Sequence, residues 1–460
     1  MSITLAGVLL YVLAQLLIGA WVAKRIRTEE DYLIAGRSLG YGLGIFTIFA
    51  TWFGAETCIG AAARIYENGL AGGSADPFGY ALCIVFMGAV FAVPLWRRKL
   101  TTIADLFRQR YSISVERLAV LLMVPTSLLW AAAQIRAFGQ VLAASSTLEV
   151  EITIAIAAAV VIVYTVSGGL LADAITDLVQ GIALIAGLLL LLFFVMANGG
   201  AEAVRAVEPE RLQLFGGGRV PLIEVVEAWA IPIIGSVTAA ELISRVIAMR
   251  SPQVARRSCF SAAGIYLLIG LVPVTLGLAG ASLLPGLEDP EQLLPRLALD
   301  NLSPGLYIVF AGALVSAILS TVDSALLVSA SLVSHNVIVP LRPDIDERTK
   351  IRFARIGVIV FGILAYIMAL YAEGVYHLVE QASAFGSAGI FVVVVFGLFS
   401  RRGNSASAIA ALLAGVGVWI VGSYALALPW AYLAALGSSA AAYVAVAFFD
   451  TEPAASPATA

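Results

Sequence analysis

The chain has 460 residues, 61% of them hydrophobic and 12% charged, with a formal net charge of −3. That is far more apolar and less charged than a soluble globular domain, so the composition indicates an integral membrane protein housed in a lipid bilayer. No basic run is long enough to hold a nucleic acid, which excludes that class of partner.

A hydrocarbon core of ~30 Å takes about twenty residues of helix to cross, and about thirteen apolar stretches meet that length. They fall near residues 4–23, 41–66, 77–96, 116–145, 151–167, 170–196, 220–248, 258–284, 305–336, 351–373, 376–399, 404–424 and 427–449. The first lacks a basic leader and a small-residue cleavage site and is expected to stay as a span. The second, "YGLGIFTIFATWFGAETCIGAAARIY", combines Gly42, Gly44, Gly54 and Gly60 with Glu56 at mid-depth. The seventh, "WAIPIIGSVTAAELISRV", has Pro232, which removes one backbone hydrogen bond and crowds another, followed by Gly235 and Glu241. An unpaired carbonyl is costly in hydrocarbon, so a broken helix persists only where protein, water or an ion satisfies the freed groups. Secondary transporters place two such breaks five spans apart in inverted repeats, which is the separation here; a Gly/Pro kink that improves packing is the plainer alternative.

The ninth stretch contains "AILSTVDSALL" at 317–327. Residues three and four apart share a helix face, so Ala317, Ser320, Thr321 and Ser324 form one stripe with Asp323 at its flank. A lone hydroxyl would bond back to the carbonyl one turn earlier, but an intramembrane carboxylate beside three of them indicates function. These are hard oxygen donors, suited to an alkali cation such as sodium. Cys58, Cys83, Cys259, His335 and His377 lack metal-type spacing and read as ordinary packing or interfacial residues. No nucleophile is matched with a base, which speaks against an intramembrane enzyme. A channel would account for a polar stripe but not for two interrupted helices. The tail from Asp450, "DTEPAASPATA", reads as disordered.

Lys and Arg concentrate in alternate connections: Lys24 to Arg37, Arg97 to Arg110, Arg250 to Arg257, Arg342 to Arg355, and Arg401 with Arg402. The opposite set holds Arg64, Arg205, Arg211, Arg219 and Arg296. The positive-inside rule then puts the N-terminus outside and the C-terminus in the cytoplasm of a plasma (inner) membrane.

Five segments, "DYLIAGRSLGYGLGIFTIFATWFGAETCIGAA", "SGGLLADAITDLVQG", "ISRVIAMRSPQVARR", "AILSTVDSALLVSAS" and "VFGLFSRRGNSASAIAALLAG", run in order from Asp31 to Gly415 and together resemble the solute:sodium symporter family. The resemblance implies an all-α membrane fold with a 5+5 inverted-repeat core of the leucine-transporter type, formed by the second to eleventh spans, with one extra N-terminal and two extra C-terminal helices. The expected divisions are 1–40 for the N-terminal helix and loop, 41–400 for the core, 401–449 for the last two helices and 450–460 for the tail. By position, the resemblance places the principal sodium site at the carbonyls of Ala50, Phe53 and Ala317 and the hydroxyls of Ser320 and Thr321. It places a second, deeper position at Asp177, Ser320, Asp323 and Ser324, which is a sodium site, a proton-binding pair or an internal network.

The solute cavity is expected beside the two breaks, with Trp52, Gly54, Glu56 and Thr57 on the second span and Glu241 on the seventh. Trp130, Gln134 and Arg136 join from the fourth, and Glu380 and Gln381 from the eleventh. Trp52 and Trp130 resemble the high-affinity choline transporter branch, where aromatic faces cage a quaternary ammonium, but Ala239 stands where that branch has a tryptophan. Glu56 and Glu241 instead suit an ammonium group, as in an amine, a betaine-like zwitterion or an amino acid. The competing arrangement is an ion pair of Arg136 with one of them. The expected function is sodium-coupled import of a small organic solute by a monomer or weak homodimer; the alternative is a sodium-dependent solute sensor that moves nothing.

Overall fold

A computed structural model describes residues 28–449 apart from 145, 147, 168, 219 and 343, together with residues 10, 13 and 17. The first apolar stretch and the tail therefore lie outside the described residues. The described chain is helical throughout its named elements: α1 (Glu29–Ile34), α2 (Tyr41–Trp52), α3 (Ala62–Asn68), α4 (Tyr80–Phe86), α5 (Ala92–Arg97), α6 (Ala104–Arg110), α7 (Ile113–Ala144), α8 (Val150–Ser167) and α9 (Leu170–Val195). There follow α10 (Leu222–Ala230), α11 (Ala240–Ile247), α12 (Pro252–Leu283), α13 (Leu293–Asn301), α14 (Pro304–Val333), α15 (Glu347–Tyr371), α16 (Val375–Ala384), α17 (Ser387–Phe399), α18 (Ser405–Ile420) and α19 (Ala431–Phe448).

Helix starts follow local chemistry. Ser251 accepts the Val254 amide with Pro252 at the first position of α12, Asp346 accepts the Thr349 amide of α15, and Asn404 and Ser407 cap α18 reciprocally. Among the described residues, nine helices are long and apolar enough to cross a membrane, and the bent pair Leu222–Gly235 and Ala240–Ile247 makes a tenth. The expected thirteen is not reached on that criterion. α2 and α8 are short, and Glu56–Arg97 counts once although its backbone breaks at Gly69 (φ +69°) and at extended Asp76 (φ −135°, ψ 126°), so two of the expected spans lie within it.

Both anticipated breaks are present. Beyond Trp52 the backbone leaves helical geometry at Phe53 (φ −87°, ψ 74°) and resumes in a π-helical turn, Glu56–Ala61, that leads into α3. The seventh span passes from α10 through the turn Ile231–Gly235 to an extended Ala239 (ψ 134°), and α11 leaves at 41° to the outer part. A third break lies between α16 and α17 at Phe385 and Gly386, where Gly386 adopts φ +67°. The sequence reading had carried that span unbroken from 376 to 399.

The most buried helix is α14, packed against α7, α9 and α15, while α2 lies between α9 and α12. The entry to α2 and the exit from α11 are joined by backbone pairing: the Leu39 amide donates to the Ala248 carbonyl (3.2 Å), and the Arg250 amide donates to the Leu39 carbonyl (2.9 Å). The three cysteines are buried and free.

Candidate functional site

The break in the second span frees backbone groups in the middle of the protein, and side chains of three other helices meet them. From α14, the Thr321 hydroxyl lies 3.2 Å from both the Ala50 and Ala317 carbonyl oxygens. From α12, the Tyr266 hydroxyl lies 3.3 Å from the Trp52 carbonyl. From α7, the Gln134 side-chain oxygen accepts the Ala55 amide at 2.9 Å. Hydroxyl hydrogen bonds ordinarily span ~2.5–3.0 Å, so the two Thr321 contacts are long. Ala50, Ala317 and Thr321 thus offer a loose cluster of three hard oxygens of the type an alkali cation takes. Phe53 sits at the break itself. The Ser320 hydroxyl is turned the other way, donating to Asp177.

That turn leads to a second polar layer. Asp177 also accepts from Thr47 on α2. One helical turn earlier on α9, Asp173 pairs with Arg245 of α11, a guanidinium that is fully buried. Arg245 also donates to Ser324 and, through Nε, to Thr51 at 3.0 Å. Asp323 meets Thr165 on α8 and Asp173 on α9. The four residues expected to form a second ion position therefore fall into two groups: Ser320 with Asp177, and Ser324 and Asp323 around Asp173, with Arg245 beside Ser324.

Of the solute candidates, Glu56 and Glu380 border one small cavity and Trp130 and Glu241 another, while Trp52, Gly54, Thr57 and Gln134 line neither. The outer, of about 40 Å³, is bounded by Glu56, Asp76, Tyr80, Pro232 and Tyr376, with Glu380 at its exposed mouth. The inner, of about 30 Å³, is bounded by Trp130, Thr238, Ala239, Glu241 and Ser383. Each has room for a few waters and falls far short of the ~300–1,000 Å³ of a ligand pocket. Trp52, Tyr80 and Trp130 pack on one another between them, with ring centroids 5.2 to 6.4 Å apart. The Gln134 amide nitrogen donates to Glu56 Oε2 at 2.8 Å, leaving Oε1 without a partner. Thr57 donates to Asp76 Oδ2 at 2.6 Å, and the Tyr266 hydroxyl lies 2.9 Å from Asp76 Oδ1. Two expectations do not hold in this arrangement. Arg136 reaches neither Glu56 nor Glu241; it lies 3.7 Å from Glu291 and donates to the Ala369 carbonyl. Gln381 contacts His377 at 3.2 Å and lines neither cavity.

The family model of the Sodium:solute symporter family matches residues 32–415. The chain belongs to that family. The symporter is 30% identical to the human high affinity choline transporter 1, over 93% of this chain and 77% of the relative. It is 28% identical to the Drosophila melanogaster high-affinity choline transporter 1, over 92% and 72% respectively. Among solved structures, a substrate-bound, outward-open Na+-coupled sialic acid symporter superimposes with a TM-score of 0.87 at 19% identity, covering 99% of both chains. The symporter is accordingly a multi-pass membrane transporter and not an enzyme; sodium is its coupling ion and a small solute its cargo.

Sequence reasoning overlooked several of the symporter's central groups. Asp173 precedes Asp177 by four residues, which placed it on the same helical face, and Arg245 stands in "ELISRV" four residues after Glu241. Both signals were available. Asp76 and Tyr80 had none, because their approach to Glu56 depends on how the third span folds back against the break.

Proposed function

We propose that the symporter imports a small organic solute carrying a positively charged nitrogen, an amine, betaine-like or amino-acid-like compound, together with sodium by alternating access. The single observation that supports this reading is the meeting of α2 and α14. Sodium-type oxygens of Ala50, Ala317 and Thr321 adjoin the break that leads directly to the carboxylate of Glu56. In this reading Phe53 and Ser320 complete the sodium shell once Ser320 rotates off Asp177, and Trp130, Glu241, Gly54 and Thr57 border the path of the solute. Arg136 and Gln381 are left out of it.

Sodium entry supplies the driving force, worth ~2.3 kcal/mol per ion per 100 mV of membrane potential. Residues 41–400 form the moving core and 401–449 an accessory pair, in a monomer or weak homodimer of the plasma (inner) membrane with the N-terminus outside. The test is solute counterflow in proteoliposomes with and without sodium. Thr321→Ala is expected to raise the half-saturating sodium concentration at least ten-fold, with little change in the level of folded protein. Flux equal in sodium and potassium would refute symport, and sodium-dependent solute binding without counterflow would indicate a sensor.

A further inference from the structure

The two cavities share an electrostatic property that narrows the cargo. Glu56 and Asp76 border the outer cavity and Glu241 the inner, all three are buried, and no Lys, Arg or His lines either cavity. Of the basic side chains of neighbouring segments, Arg136 lies against Glu291 and Arg245 is held by Asp173, while Arg64 lies 4.9 Å over the ring of Tyr376, which borders the outer cavity, without itself lining it. Asp76 has both oxygens met by hydroxyls. Glu56 and Glu241 do not: Oε1 of each is a buried acceptor with no hydrogen-bond partner among the described residues, one in each cavity. A buried carboxylate oxygen without a donor is strongly unfavourable, and a cation bearing N–H groups relieves both the missing bond and the unbalanced charge.

Three cargo chemistries can be compared on this ground. A quaternary ammonium has no N–H to give, and it binds by lying within about 6 Å of several aromatic faces. Here Trp52, Tyr80 and Trp130 pack on one another edge-on or tilted, with centroids 5.2 to 6.4 Å apart, and their faces do not surround a common gap for a trimethylammonium group. The inner cavity presents Ala239 and, besides Trp130, one further ring, Phe385, so two rings border it together with the carboxylate of Glu241. A zwitterion brings a carboxylate into cavities that already hold carboxylates and no basic partner. A primary or secondary ammonium without a carboxylate meets each requirement. Resting on the symport reading above, we infer that the cargo is a net cation whose charged nitrogen carries hydrogens, a primary or secondary amine, bound through Glu56 Oε1 on the outer side and Glu241 Oε1 on the inner.

The experiment uses the full chain, purified and reconstituted, with ethanolamine, putrescine, choline, glycine betaine and L-proline as probes in sodium and in potassium. Thermal unfolding and competition of counterflow are both read. Ethanolamine or putrescine is expected to act at concentrations at least ten-fold below choline, with glycine betaine and proline inert. Glu56→Gln and Glu241→Gln are each expected to raise the half-effective amine concentration at least ten-fold while sodium alone still stabilises the protein, which certifies that the variant is folded and retains its ion site. Preference for choline, betaine or proline, silence of both amines, or full amine response in both variants overturns the inference. Should that happen with sodium-dependent stabilisation intact, symport stands and the amine assignment falls. If sodium itself has no effect on the unaltered protein, both fall.

Discussion

Gly54 stands at a close-packed point beside the break in the second span. A Cβ there would stand 2.6 Å from Thr321 Oγ1, 2.7 Å from Glu56 Oε2 and 2.9 Å from Gln134 Oε1, so one missing methyl lets the hydroxyl of the proposed ion site, the carboxylate of the proposed solute site and the Gln134 amide converge. Gly54→Ala must push these groups apart; a sodium titration of thermal stability is expected to shift at least ten-fold. Arg245 raises a different issue, because its removal strands Asp173 in a buried setting. Arg245→Met is expected to cost on the order of 3–5 kcal/mol, and the double variant Arg245→Met with Asp173→Asn to recover most of it, as read by denaturation in detergent. At this scale the stripe of Ala317, Ser320 and Thr321 was legible because it depends only on helical spacing within one segment. The engagement of Gln134 with Ala55 and Glu56 was not, since it pairs residues 78 and 79 positions apart and nothing local distinguishes it from a packing residue.

Among the elements, the broken spans were legible to the extent that each carried a strong breaker beside an unpaired carboxylate. Gly54 with Glu56, and Pro232 and Gly235 with Glu241, declared themselves. The break between α16 and α17 did not, because "AFGSAG" has small residues but no buried charge to mark it. Its cause is tertiary: Gly386 sits at φ +67° with Leu122 of α7 against it, and a Cβ there would lie 3.3 Å from that of Leu122. A second long-range element contact is the capping of α19, whose start has no capping side chain of its own. Glu227 of α10 accepts the Tyr432 amide at 2.6 Å and the Leu433 amide at 2.9 Å, satisfying two orphan donors of that helix from another span. Glu227→Ala is expected to lose ~1–2 kcal/mol, the range for a removed N-cap, and to raise amide exchange selectively in the first turn of α19.

For the molecule as a whole, composition was enough to establish a helical membrane protein, and the ordered motifs were enough to indicate an inverted-repeat core. A span count by helix length alone stays below the expected thirteen, because it passes over the short helices α2 and α8 and joins Glu56–Arg97 across its breaks. The side each loop is proposed to face rests on the distribution of Lys and Arg, and that proposal makes a direct prediction. A cysteine replacing Arg401 is expected to react with an impermeant maleimide only from the cytoplasmic side, and one replacing Glu288 only from the opposite side. Reversed reactivity would invert the proposed direction of import.

The backbone pairing of Leu39 with Ala248 and Arg250 bears on how such a machine can move. It stitches together the ends of two helices that the inverted repeat relates, so α2 and α11 are obliged to travel as a single plate rather than as independent levers. A disulfide joining cysteines at 39 and 249 should therefore leave turnover running, whereas a bridge from that plate to the neighbouring α9 should arrest it.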